Sequence, residues 1–230
     1  MAILMALPKR NVLAHDARHR TRILIAEDHM LVADLCKQLL EFEFDVIGIA
    51  SDGHELLRKT EDLSPDVILL DIGMPVLNGL DAGKRIKERS PNVKLVFLTM
   101  NPDPELALAA LQYGASGYLL KTCLGSELVN CIRSVVIGAT VISPALKETV
   151  AQMRWEGRKA VVSESERLTD RQREVLQLLA EGKVVKEVAN ILNLTPRTVG
   201  FHKYKIMKLI GAKSSAELVR YAVRNHITAA

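Results

Sequence analysis

One stretch narrows the fold more than any other: P-D-V-I-L-L-D-I-G-M-P-V-L-N-G-L, residues 65–80. Its unbroken apolar run, residues 67–70, ends on the carboxylate of Asp71, with turn-forming residues on both sides. A short run with no polar alternation is buried on both faces, as strands of a parallel sheet are. Such sheets place their chemistry in the crevice beyond the carboxyl ends of the strands. Asp71 stands at such an end, either as a turn former or as a reacting group. The rest of the chain decides between the two.

The 230 residues suffice for two modest domains, each with its own core. Charge divides them. Residues 21–142 carry 11 Lys+Arg against 17 Asp+Glu, net −6, while 163–230 carry 12 against 7, net +5. An acidic front and a basic back predict domains facing different partners, the basic one a nucleic-acid binder. No apolar run approaches the ~20 residues that cross a bilayer. Cys36, Cys123 and Cys131 lack metal-ligand spacing and read as reduced thiols packed as small hydrophobes in a cytoplasmic protein. Residues 1–20 are expected to be a disordered extension, 21–142 the first domain, 143–166 a linker holding Trp155, and 167–230 the second domain.

In the first domain, β-rich runs at 22–26, 46–50, 66–70, 93–98 and 117–120 alternate with five stretches of helical spacing. This alternation predicts an α/β fold, an open parallel sheet of five strands wound on both faces. Right-handed crossovers bring every strand's carboxyl end to one edge. That edge gathers Glu27 and Asp28 after the first strand, Asp71 after the third, Thr99 after the fourth and Lys121 after the fifth. Three converging carboxylates repel one another and call for a divalent cation. Oxygen ligands with room for water suit Mg²⁺, which usually brings phosphate. A carboxylate so held can attack phosphorus and form an acyl phosphate, with the Lys121 ammonium and Thr99 hydroxyl meeting the transferred oxygens.

The segments A-E-D-H (26–29), D-I-G-M-P-x-x-x-G (71–79), L-T (98–99) and G-A-S-G-Y-L-L-K (114–121) resemble the receiver domain of bacterial two-component response regulators. The resemblance implies a flavodoxin-like strand order, 2-1-3-4-5, with Asp71 as phosphoacceptor. It implies Mg²⁺ held by Glu27, Asp28, Asp71 and the backbone carbonyl of Gly73, and phosphoryl contacts from Thr99 and Lys121. Tyr118 matches the switch aromatic, which moves inward as Thr99 is drawn to the phosphate. Haloacid-dehalogenase-like phosphatases share the Asp, Thr, Lys and Mg²⁺ but carry a second Asp two residues after the nucleophile. That position is Gly73 here, which has no proton to donate. The chain is therefore expected to hold its phosphate, with at most slow autodephosphorylation, rather than to act as an enzyme. A phosphorylation-independent interaction module is the remaining alternative, and the complete acceptor set weighs against it.

Residues 167–230 read as four helices, an all-α unit. Thr169-Asp-Arg-Gln172 and Ser214-Ser-Ala-Glu217 are capping boxes, and Thr195-Pro196 is an N-cap followed by proline at the first helical position. Helix, short turn, helix in a basic unit predicts helix-turn-helix DNA binding. At ~100° per residue, Val199, His202, Ile206, Leu209 and Ile210 face inward on the third helix. The expected DNA contacts are Arg197, Thr198, Gly200, Phe201, Lys203, Tyr204, Lys205 and Lys208, with His202 structural. The stretches L-T-D-R-Q-R-E-V-L-Q-L-L-A-E-G (168–182), K-E-V-A (186–189) and T-V-x-x-H (198–202) resemble the LuxR/FixJ-type output domain. Relatives often carry lysine where this chain has Gly200. Together the two resemblances imply a NarL-like, cytoplasmic transcription regulator. It would be phosphorylated by a sensor histidine kinase, dimerise through its last helix when phosphorylated, and read an inverted repeat in double-stranded DNA. RNA polymerase is a further expected partner, and no membrane contact is expected.

Overall fold

A computed structural model describes residues 20–122, 125–158 and 168–228. The expected extension before residue 20, Cys123 and residues 159–167 lie outside the described residues. Strands β1 (Arg22–Ala26), β2 (Asp45–Ala50), β3 (Val67–Asp71), β4 (Lys94–Thr99) and β5 (Gly117–Leu120) form the parallel sheet in the expected order, 2-1-3-4-5. Around them stand α1 (Met30–Glu41), α2 (Gly53–Leu63), α3 (Gly79–Arg89), α4 (Pro104–Gln112) and α5 (Ser126–Val136). The unbroken apolar run of β3 is used on both faces. Val67 and Leu69 pack with Cys36, Leu40, Leu128 and Ile132, while Ile68 and Leu70 pack with Leu56, Ile86, Phe97 and Leu106.

A sixth strand corrects the five-strand expectation. β6 (Val141–Ile142) lies parallel to β5, with Gly117 opposite Val141 and Tyr118 opposite Ile142. Two residues are too few for a strand period to show in sequence. Ser143 then locks the join: it is fully buried, its amide donates to the Tyr118 carbonyl (2.8 Å), and its hydroxyl accepts from Leu120 N (2.9 Å). Helix α6 (Pro144–Trp155) follows, in the stretch expected to be linker. Its Leu146, Val150 and Met153, spaced to share one face, are buried in the same core as Leu106, Ala107 and Tyr118. The segment is thus a strap across β5 and α4. Trp155 at its end stands 92% exposed.

The second unit packs α7 (Asp170–Ala180), α8 (Val185–Ile191), α9 (Pro196–Ile210) and α10 (Ser215–Arg224) around Val175, Leu178, Val188, Val199, Ile206 and Leu218. Both halves of the Thr169–Gln172 capping box are present. At α10 Ser214 accepts from Glu217 N, but the Glu217 carboxylate takes the amide of Lys213, so only half of that box forms. Leu209, expected inward, is 46% exposed. It lies about 80° around the helix from Val199, beyond the stripe that the neighbouring helices cover. Among the described residues no helix is long and apolar enough to cross a membrane.

Candidate functional site

The strand ends bring the predicted acidic and basic groups into one pocket. Lys121 Nζ lies 2.7 Å from Glu27 Oε2 and 3.2 Å from Asp71 Oδ2, tying the ends of β1, β3 and β5 together. Glu27 and Asp71 are both buried. Burial raises the Glu27 carboxyl above its ordinary range, the Asp71 charge adds to that, and the Lys121 hydrogen bond opposes it. For Lys121, burial alone would lower the ammonium, but the two carboxylates outweigh it and raise the group. The ammonium therefore stays charged between two anions. Thr99, also buried, accepts from the amide of Asn101 through its hydroxyl (3.1 Å).

His29, quoted in a motif but given no role from sequence, stands beside this group. Its Nδ1 is 3.2 Å from Glu27 Oε1 and 3.1 Å from Asp28 Oδ1. Ligand atoms of Glu27, Asp28, His29 and Asp71 all lie within 4.8 Å of one another. A converging set dominated by carboxylate oxygens fits a hard divalent cation. The turn after Asp71 is built tightly. A Cβ on Gly79 would stand 2.0 Å from the Asp71 carbonyl oxygen, so only glycine lets α3 start there. Asn78 caps α3 by accepting from Asp81 N. At Gly73 a Cβ would meet Asp71 Oδ2 at 3.5 Å, so a side chain there would border the carboxylate, and none is present.

Tyr118 is already inward. It is fully buried, its hydroxyl donates to the Asn101 carbonyl (3.1 Å), and burial pushes its pKa above the ordinary tyrosine range. β6 and α6 cover the strand and helix through which a half-exposed tyrosine would swing. Tyr118 thus stands in the inward position.

The second unit docks on the turn that follows Asp71. Gln177 of α7 donates through Nε2 to the Met74 carbonyl (3.0 Å), and its Oε1 accepts from Asn78 N (2.8 Å). Glu181, one turn on, accepts from Val76 N (3.2 Å). Val76 is held at φ +68°, a strained conformation for a β-branched residue. Arg173 Nε and Nη2 grip the buried Asp81 carboxylate (2.8–2.9 Å), and Arg85 Nη1 meets Glu174 at 2.6 Å. Burial would raise Glu174, but Arg85 and Arg171 together hold it below its ordinary range. On the other side, His226 Nε2 lies 3.2 Å from Asp103 Oδ2, and Asn78 Nδ2 donates to the Ile227 carbonyl. Sequence reading missed all of these partners. They pair residues 89 to 149 apart, and neither periodicity nor a local motif marks such pairs.

Helix α9 keeps its predicted outer face outside this interface. Arg197, Lys205 and Lys208 are exposed, with Phe201 54% and Tyr204 64% exposed. Lys205 Nζ sits 4.5 Å over the Phe201 ring. Lys203 reaches toward Ser215 Oγ (3.4 Å), and Thr198 is engaged in the N-cap with Thr195. A Cβ on Gly200 would meet nothing within 4 Å. His202, assigned a structural place, is half-buried, and burial lowers its pKa.

Comparison with known proteins accounts for both halves. Residues 23–133 match the response regulator receiver domain, and 166–222 match the bacterial regulatory proteins of the luxR family. The transcriptional regulatory protein LiaR of Bacillus subtilis is 35% identical over 209 residues, covering 90% of this chain and 98% of that protein. The nitrate/nitrite response regulator protein NarL of Escherichia coli K12 is 34% identical over 197 residues, 85% of this chain and 91% of that one. Among solved structures, the Salmonella typhimurium RcsB response regulator aligns with a TM-score of 0.58 at 26% identity, covering 90% of this chain and 98% of its own. With its paired domains in the same order, the chain belongs to the two-component response regulators that carry a LuxR-type helix-turn-helix domain.

Proposed function

We propose that Asp71 accepts a phosphoryl group from a sensor histidine kinase and that this controls binding of the LuxR-type domain to double-stranded DNA. The observation that carries the reading is the position of Lys121, one ammonium bridging Glu27 and Asp71 where phosphoryl oxygens would arrive. Glu27, Asp28, Asp71 and the Gly73 carbonyl would hold Mg²⁺, which when bound offsets the carboxylates and the charge on the phosphoryl oxygens. Asp71 supplies the attacking oxygen, Lys121 exchanges its carboxylate contacts for the phosphoryl group, and Thr99 turns its hydroxyl toward the same group. Gly73 offers no general acid, so the acyl phosphate hydrolyses slowly. The receiver is assigned to residues 21–142 with α6 as its strap, and the DNA-binding unit to 167–230.

Phosphorylation adds about −1.5 to −2 charges at the acceptor turn. That turn is the one Gln177 and Glu181 hold, and the loop that follows Thr99 carries Asp103, the partner of His226. Both clamps therefore stand on segments that respond directly to the phosphoryl group, and their loosening frees the DNA-binding unit. The freed units then pair through α10, which turns Arg220 and Arg224 outward, and read an inverted repeat in the cytoplasm. RNA polymerase is the next partner at the promoter. Of RcsB, a DNA complex is known, which supports the assignment of DNA to this fold. The test is phosphate incorporation together with selection of bound genomic fragments, with and without Mg²⁺ and beryllofluoride. Wild type incorporates phosphate and enriches an inverted repeat with the mimic, and Asp71→Asn does neither. Regulated DNA binding that survives Asp71→Asn would overturn the reading.

A further inference from the structure

A cavity of about 240 Å³ lies over the Asp71 carboxylate, with Thr99 and Lys121 also on its floor. The receiver forms only part of its wall. Met100 and Leu106 contribute from the receiver, and His226 and Thr228, from the turn after α10, flank the cavity, which stays open to solvent elsewhere. That turn is pinned from three directions. Ile227 is fully buried in the core of the DNA-binding unit, its carbonyl accepts from Asn78 Nδ2 (3.2 Å), and His226 is paired with Asp103 (3.2 Å). Asn78 caps the helix after the acceptor turn and Asp103 caps α4, so both anchor points belong to the frame of the pocket.

We infer that the turn at residues 226–228, supplied by the DNA-binding unit, is a wall of the phosphoryl pocket and limits the size of phosphodonor that reaches Asp71 in the docked molecule. The inference rests on Asp71 being the phosphoacceptor. In-line transfer requires the donor's leaving group to point away from Asp71, into the space this turn bounds. A small acyl phosphate or phosphoramidate fits a cavity of this volume. A phosphohistidine carried on a helix brings that helix against the 226–228 turn at the rim, so transfer from a kinase first requires undocking. The outer face of α9 stays exposed while the pocket is walled. Docking therefore restricts the input to the receiver more directly than it covers the DNA-reading side chains.

The test uses full-length protein, Mg²⁺ and three donors of rising size: phosphoramidate, acetyl phosphate and benzoyl phosphate. In each an Asp71 oxygen forms a bond to phosphorus as the bond to the leaving group breaks. Ammonia leaves from the zwitterionic phosphoramidate with its own protons, and acetate or benzoate leaves with the bonding pair. Two variants open the wall from the DNA-binding side. Arg173→Ala removes the grip on Asp81, and His226→Ala removes the pair with Asp103. Phosphorylation of wild type should fall steeply from phosphoramidate to benzoyl phosphate. Both variants should flatten that profile by speeding benzoyl phosphate about tenfold, as the pocket-open fraction rises. The same donor-size profile in wild type and both variants would overturn the wall. Failure of all three donors to phosphorylate any of the proteins would overturn the phosphoacceptor reading itself, and the wall with it.

Discussion

Two glycines, Gly79 behind the acceptor carboxylate and Gly200 on the outer face of α9, sum up the contrast between the halves of this protein. At Gly79 a single added carbon would meet the Asp71 carbonyl oxygen at 2.0 Å, whereas at Gly200 it would meet nothing within 4 Å. Around Asp71 charges are paired against one another and backbone is packed to contact. The outer face of α9, proposed to meet DNA, is open. Chemistry at a strand end tolerates little displacement, since a reacting oxygen must sit at bonding range of its target. A groove-binding face makes most of its hydrogen bonds to phosphates, which position it on the duplex without reading the bases.

Variants test that contrast at decreasing size of effect. Arg173→Ala should act most, because it leaves the Asp81 carboxylate buried without its guanidinium. Breaking such a pair costs roughly 3–5 kcal/mol, here charged against docking rather than folding. Faster hydrogen exchange at the amides of Val76 and Asn78, the two donors to α7, would register the release; unchanged exchange would mean that docking does not depend on this pair. Gly79→Ala should cost the receiver about 1–3 kcal/mol as the turn shifts to admit a methyl group. Its melting temperature should fall and its phosphorylation slow, and a variant indistinguishable from wild type would contradict the geometry of the turn. Gly200→Lys should do the opposite on α9. Replacing a mid-helix glycine recovers up to about 1 kcal/mol of helix stability, and the new ammonium should steepen the salt dependence of DNA binding by about 0.9 in log–log slope. Weaker binding to every sequence would show that backbone or DNA approaches closely there. Lys205→Ala should flatten the same slope by about as much and weaken all DNA alike. A loss confined to one base position would make Lys205 a base reader instead.

The same contrast governs what could be read from sequence. The strands, their order and the convergence of Glu27, Asp28, Asp71, Thr99 and Lys121 were legible because each belongs to a local run whose end is marked. α9 was legible from its cap and its stripe, except at Leu209 on the edge of that stripe. Three features were not. β6 is too short to show a period, and without it β5 reads as an edge. A helix over 145–155 could be read, but not its packing on the receiver, because the Leu146, Val150 and Met153 stripe is set in a charged stretch. The docking contacts are long-range polar pairs such as Asp81–Arg173, whose members look from sequence like ordinary surface charges.

The central claim is that the phosphoryl group at Asp71 releases α7 and the C-terminal turn from the acceptor loop. Spin labels at Glu88 on α3 and Lys208 on α9, both exposed, report the separation of the two units directly. Buried Cys36 and Cys131, with thiols pushed up to about 11 and about 12 by burial, resist labelling, and Cys123→Ser removes the third. Without activator the labels should give one narrow distance. With Mg²⁺ and beryllofluoride that distance should give way to a broad, longer distribution, and Asp71→Asn should keep the narrow one throughout. A distribution that beryllofluoride leaves unchanged in the wild-type background would contradict the account.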